Sequence, residues 1–256
     1  MRSMLFLMTT MFLFSCCVSF SVRGETFSSR VKGFPTREKI LTDLTASGTT
    51  QVIIVLKNSP NLSEGGNKTF PPLVATSGDN RVEDGLELIA LENRNGTWTE
   101  VFRTRELVVG RSGFAAPGAK VEGDGKTPTG IYLIGQAFGY EASVSTKLAY
   151  RQATENDVWV DDPKSLNYNL WVDKNNASAT SFEFMKRKDN LYKFGFVIEY
   201  NTDPITAGAG SAIFFHVWRG PGKPTSGCVA TPESFIISLL AWLDAAKHPR
   251  ILLGLD

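Results

Sequence analysis

Ile213-Phe214-Phe215-His216-Val217-Trp218-Arg219-Gly220-Pro221-Gly222-Lys223-Pro224-Thr225-Ser226-Gly227-Cys228-Val229-Ala230 is the most informative stretch of this 256-residue chain. Its apolar opening, part of a strand expected over Ser211–Trp218, contains one of only two histidines. Glycine and proline then turn the chain, and a cysteine follows 12 residues after the histidine. Beyond it, Thr231 is a candidate N-cap, Pro232 suits the first helical position, and Glu233 falls in the first turn. Apolar residues run from Phe235 to Leu243; Lys247 and His248 fall at the far end, where positive charge suits the helix dipole, and Pro249 stops the helix.

Outward from that stretch, most segments read as strands. Val52–Leu56 is an apolar run rich in β-branched residues and reads as a buried strand, and Leu86–Leu91 and Thr97–Phe102 flank a turn at Asn93–Gly96 in a hairpin pattern. Glu106–Gly110, Ile131–Ile134 and Lys193–Tyr200 are further expected strands. Gly110–Gly130 is dense in glycine and proline and reads as an extended loop, as does Asn58–Pro72. A short helix is expected around Arg37–Leu44. Many short strands with one main C-terminal helix predict a mostly-β domain over residues 51–256, preceded by a lead-in at 25–50.

The N-terminus changes what the cysteine count means. Met4–Phe20 is an uncharged, mostly apolar run of 17 residues behind Arg2, short against the roughly 20 that a membrane span needs. It reads as a secretion signal over residues 1–24, with cleavage after Gly24. Leu13-Phe14-Ser15-Cys16 also resembles a bacterial lipobox, which would make Cys16 a lipid anchor, and an uncleaved membrane anchor is the third reading. Loss of residues 1–24 removes Arg2, Arg23, Cys16 and Cys17, and Cys228 becomes the single cysteine of a secreted or envelope protein. Such a thiol is buried and inert, paired to another chain, or kept for its reactivity.

Several classes are excluded. With 27 basic and 26 acidic residues, charge offers no reason to expect nucleic acid. Three cysteines and two histidines do not make a disulfide scaffold or a dedicated zinc site. Gly125-Lys126-Thr127 looks like the end of a phosphate-binding loop, but Lys120 stands where that loop needs glycine. Four Asn-x-Ser/Thr sites, at Asn61, Asn67, Asn95 and Asn176, are weak evidence for a eukaryotic secretory source.

The physics of the loop favours a nucleophile. A free thiol, with pKa about 8.5, is only slightly ionised at neutral pH. A neighbouring imidazole and a helix N-terminus would both favour thiolate, and a shift of about two units corresponds to roughly 2.7 kcal/mol. Gly227 permits close backbone approach. Amides at Gly227 and Cys228 would face the oxygen of a tetrahedral intermediate, where one donor is worth about 3–4 kcal/mol. A buried cysteine with a histidine packed nearby is the bland alternative.

The stretch resembles the signature of the L,D-transpeptidase family (YkuD-type catalytic domain): a histidine, a variable loop, then Ser/Thr-His-Gly-Cys. His216, Thr225, Gly227 and Cys228 match, and Gly123-Asp124-Gly125-Lys126-Thr127-Pro128-Thr129-Gly130-Ile131-Tyr132 is similar to the family's Thr-Pro-x-Gly segment. The resemblance covers about Gln51 to Asp256 and is strongest to a stand-alone secreted branch. Ser226 replaces the second histidine of the signature, and Ala230 stands where a basic residue is frequent.

The resemblance implies a β-sandwich-like catalytic domain acting on peptidoglycan stem peptides, with no cofactor and no obligate protein partner. Cys228 would attack the carbonyl between a diamino acid and a terminal D-residue, His216 would carry the proton, and the Val217 carbonyl would fix the histidine tautomer. The thioester would pass to an amine. The alternatives are a carboxypeptidase or thiol hydrolase, in which water accepts, and a non-catalytic wall-peptide binding module. Arg219, Trp218, Ser226 and Thr225 are the candidate substrate-binding residues. Trp159 and Tyr168 line a groove or belong to the core, and Asp161 and Asp162 meet the acceptor amine or cap the turn at Pro163, the turn being the favoured reading.

Overall fold

The continuous apolar run at Val52–Leu56 forms a strand buried on both faces. In the computed structural model, which describes residues 36–57 and 85–254, that strand is β1 (Gln51–Lys57). Ile53 and Val55 point into the main core, whereas Val52 and Ile54 pack beneath the N-terminal helix α1 (Arg37–Ala46) through Ile40 and Leu44. Period-two alternation would leave one face wet, so coverage on both sides explains why the run does not alternate.

Next come β2 (Leu86–Arg94) and β3 (Thr97–Thr104). They form the expected hairpin around Asn95-Gly96, both at positive φ, the geometry of a tight two-residue turn. β4 (Gly130–Gly139), β5 (Tyr150–Gln152), β6 (Asp157–Val160), β7 (Trp171–Asp173), β8 (Phe182–Phe184), β9 (Phe194–Ile198), β10 (Phe214–Val217) and β11 (Val229–Thr231) follow. Helix α2 (Glu233–Trp242) and β12 (Arg250–Leu253) complete the series.

The fold is mostly β, as expected. A nine-stranded sheet runs β11-β10-β9-β4-β12-β1-β2-β3, with β5 on β4, and a three-stranded sheet runs β7-β6-β8. β4 pairs β12 along its first half and β9 along its second, with a bulge between Ile134 and Ala137. Such a bulge bends a strand and raises its twist, which curls the sheet. Gly135 sits in the bulge, where an added Cβ would collide with the Glu199 carboxylate.

Three local expectations are corrected. Glu106–Gly110 is not a strand: it meets its neighbours only at single bridges, Val108 with Ala230 and Gly110 with Thr225. Thr231 is not the N-cap of α2: its carbonyl accepts from the Trp218 amide, which holds it in the sheet, and Pro232 takes the cap position. The helix also ends before Lys247 and His248. The buried Gln51 side chain donates to the Trp242 carbonyl at 2.8 Å and accepts from the Asp244 amide at 2.9 Å, satisfying groups that the next turn would otherwise use. Lys247 and His248 belong to a separate short turn that leads into β12.

The secretion signal over 1–24 with Cys16, the first part of the lead-in, the loop from Asn58 and the Asn61 and Asn67 sites lie outside the described residues. Among the described residues, no helix is long and apolar enough to cross a membrane.

Candidate active site

Register alone places His216 and Cys228 together. β10 and β11 run parallel with Phe215 opposite Val229 and His216 opposite Ala230. Continuing that register by one residue puts Cys228 beside Phe214. Residues two apart on a strand share a face, so His216 and Cys228 are diagonal neighbours on one face. Phe215, Val217 and Val229 take the opposite face, in the main core. Phe214 and Cys228 instead join Phe138, Trp159, Met185 and Tyr192 in a second apolar cluster.

The turn before Cys228 is tied from both sides. The Thr225 hydroxyl donates to the Cys228 carbonyl at 2.6 Å and accepts from the Gly227 amide at 3.1 Å. The buried Thr127 hydroxyl donates to the Gly227 carbonyl at 2.8 Å and accepts from the Gly110 amide at 2.9 Å. The glycine-rich upstream segment is therefore a brace for the cysteine turn, a role not visible from the Thr-Pro-x-Gly pattern. Gly227 is needed for space: a Cβ there would stand 3.0 Å from the Lys126 carbonyl oxygen and 3.2 Å from Ile213.

Cys228 is free and buried. Its Sγ accepts from the Phe214 amide at 3.4 Å and donates to the Ala212 carbonyl at 3.2 Å. Burial, followed by the charge of Glu183, pushes the thiol up to about 12. This corrects the expected thiolate. The expected helix N-terminus is not at Cys228, because β11 intervenes and α2 starts only at Glu233. His216 is buried too, and burial pulls its imidazole down to about 4. The site therefore rests as a neutral thiol beside a neutral imidazole.

The tautomer follows from one contact. His216 Nδ1 lies 2.7 Å from the Val217 carbonyl. A carbonyl only accepts, so Nδ1 carries the hydrogen and Nε2 keeps its lone pair. Tyr192 packs edge-on against the ring, with centroids 5.1 Å apart.

A cavity of about 180 Å³ opens over these groups; Cys228, His216, Trp218, Arg219, Thr225 and Ser226 all line it. Arg219 donates to the Pro224 carbonyl at 2.7 Å, so it braces the loop as well as facing the cavity. Ser226 is exposed and accepts from Arg111 at 3.2 Å. The Thr225 hydroxyl commits its one proton within the turn and keeps a second lone pair free to accept. The Gly227 amide donates within the turn, whereas the Cys228 amide has no acceptor among the described residues. Trp159 and Tyr168 are core residues rather than groove walls, at 6% and 3% exposure. Asp162 accepts from the Lys164 amide and from the Thr180 amide and hydroxyl, fastening the turn at Pro163.

Sequence reasoning missed several cavity residues. Arg187 and Asp189 form a forked ion pair on the rim, with contacts of 2.9 and 2.6 Å, and the guanidinium lies over the Tyr192 ring. Glu183 on β8 accepts from the Tyr192 hydroxyl. No sequence signal links β8 to the cysteine loop, because only the tertiary fold brings the small sheet against β10. Among the described residues no cluster of metal-ligating side chains occurs.

No curated protein matches the chain in sequence. Among solved structures, it is similar to the helical cell shape determining protein Pgp2 from Campylobacter jejuni, at 16% identity and a TM-score of 0.39, covering 85% of this chain and 54% of that one. It is also similar to Bd1075 from Bdellovibrio bacteriovorus, at 14% identity and a TM-score of 0.35, covering 66% and 45%. The chain thus spans about half the length of these proteins. The family described as the L,D-transpeptidase catalytic domain, YkuD, matches residues 87–251, which include His216, Cys228 and the cavity between them. With well over half its length inside that match, the chain belongs to the L,D-transpeptidase catalytic domain family.

Proposed function

We propose that the protein is a cysteine acyltransferase of the bacterial cell wall that acts on peptidoglycan stem peptides outside the cytoplasm. The observation that carries this reading is the pairing of Cys228 with a histidine whose tautomer leaves Nε2 as a base, on one sheet face and in one cavity. Family membership supplies the substrate class.

Both groups rest neutral, so the chemistry starts with proton transfer rather than from a stored thiolate. As Sγ attacks the peptide carbonyl carbon, its proton passes to His216 Nε2. The Val217 carbonyl stabilises the imidazolium through Nδ1–H. Negative charge develops on the carbonyl oxygen, and the Cys228 amide is the available donor for it. Collapse breaks the C–N bond, and the imidazolium returns the proton to the leaving amine. The resulting thioester is then taken by an amine, giving a cross-link, or by water, giving a shortened peptide.

Incubation with a stem tetrapeptide, followed by intact-mass analysis, should show an acyl adduct that disappears in Cys228→Ala. An adduct that persists on Cys228→Ala, or wild-type protein that binds the peptide without adduct or product, would refute the assignment. The second outcome would establish a binding module.

A further inference from the structure

The cavity holds a carboxyl group that the thiol chemistry does not need. Glu183 projects from β8 into the cavity that contains Cys228 and His216. Its Oε2 is fixed by the Tyr192 hydroxyl, while Oε1 accepts no hydrogen bond among the described residues. Glu183 has no basic partner within ion-pair distance there: the adjacent guanidinium of Arg187 is committed to Asp189. Burial pushes the Glu183 carboxyl up against the opposing Tyr192 bond and Arg187 charge, with the carboxylates of Asp161 and Glu122 adding to the rise, and its charge in turn disfavours the thiolate. A carboxyl so placed hinders the first half-reaction, so its fit is with the second.

Building on the acyltransferase reading, we propose that Glu183, oriented by Tyr192, receives the acceptor amine and decides whether the thioester passes to an amine or to water. A cationic ammonium entering the cavity meets the open oxygen of a carboxyl that forms no ion pair among the described residues. The low local dielectric strengthens that attraction, whereas water gains little from it. The step balances in protons. The ammonium gives one proton to the Glu183 carboxylate, the amine nitrogen bonds the thioester carbon, and the C–S bond breaks. A second amine proton passes through His216 Nε2 to Sγ, leaving an amide, a thiol and a neutral carboxylic acid. Once the thioester has formed, no charge on sulfur opposes Glu183.

The test supplies a donor tetrapeptide with its side-chain amine acetylated and a separate amine-bearing stem peptide as acceptor. Acylation rate and the ratio of cross-linked to hydrolysed product are read by mass spectrometry. Glu183→Gln keeps an acceptor for Tyr192 and should lower the amine-to-water ratio at least tenfold without slowing acylation. Tyr192→Phe keeps the ring against His216 and should raise the acceptor KM by a larger factor than it changes acylation, and it serves as the test if Glu183→Gln fails to fold. An unchanged ratio overturns the proposal, as does a parallel loss of acylation and ratio, which marks a merely structural role. Hydrolysis alone by wild-type protein at saturating amine overturns this proposal and leaves the acyltransferase reading standing. No acyl-enzyme at all overturns both.

Discussion

Alkylation of Cys228 by iodoacetamide should be slow and should keep accelerating with pH. Burial first, then the charge of Glu183, pushes the thiol up to about 12, against about 8.5 for an ordinary cysteine. At pH 8 the thiolate fraction is then roughly 10⁻⁴ rather than about 0.2, a loss of about 2,000-fold. A more basic thiolate is intrinsically more nucleophilic. With a Brønsted slope of about 0.45, a rise of about 3.5 units returns roughly 40-fold. The net expectation is alkylation about 50-fold slower than a free cysteine, with restricted access slowing it further. Its logarithm should climb by about one per pH unit from 7 to 10 without a plateau. His216, pulled down to about 4, is neutral throughout that range and contributes no inflection near pH 6–7. Glu183→Gln removes a like charge and should raise the rate. A plateau below pH 9, or a titration near pH 6, would show a resting thiolate–imidazolium pair and refute the neutral-pair argument.

Two further outcomes are expected. Thr127→Val leaves the Gly110 amide without its partner and releases the Gly227 carbonyl; each buried unsatisfied group costs about 1–3 kcal/mol. Thermal denaturation should show the loss, acylation should fall with it, and Thr127→Ser should restore both; equal stability of the Val variant would remove the brace. Glu92 is held down to about 2, first by its bond from Lys247 and then by that from Trp242. Because its folded pKa is depressed, this stabilisation is present above about pH 4.5 and is lost as pH falls towards 2. Allowing for solvent screening it amounts to about 1–2 kcal/mol; denaturant titration of Glu92→Gln should show that deficit at pH 7 and little difference near pH 2.

Much of the fold was readable because local chemistry and tertiary environment agreed. The Asn95-Gly96 turn needs positive φ twice, and both residues tolerate it, so the hairpin was legible. The apolar run at Val52–Leu56 is strand chemistry, and β1 forms there. Legibility failed where long-range partners decided the outcome. Thr231 and Pro232 have the chemistry of a helix start, but pairing with β10 draws Thr231 into the sheet. Glu106–Gly110 has strand composition and meets its neighbours only at isolated bridges.

For the site, sequence by itself pointed to the two groups that the acyltransferase proposal uses: Cys228, His216 on the preceding strand, and a glycine turn between them. Spacing and residue type suffice for that, since both are local properties of the chain. Only the tertiary structure decided the ionisation and surroundings of the pair. Burial opposes charge on both groups, reversing the expectation of a resting thiolate. Thr127 reaches Gly227 across 100 residues of sequence. Glu183 enters because the small sheet folds against β10, and Tyr192 enters from the loop that joins β8 to β9. A pKa depends on every dipole and charge within a few ångströms, whatever their distance along the chain, and so it cannot be read from the chain alone.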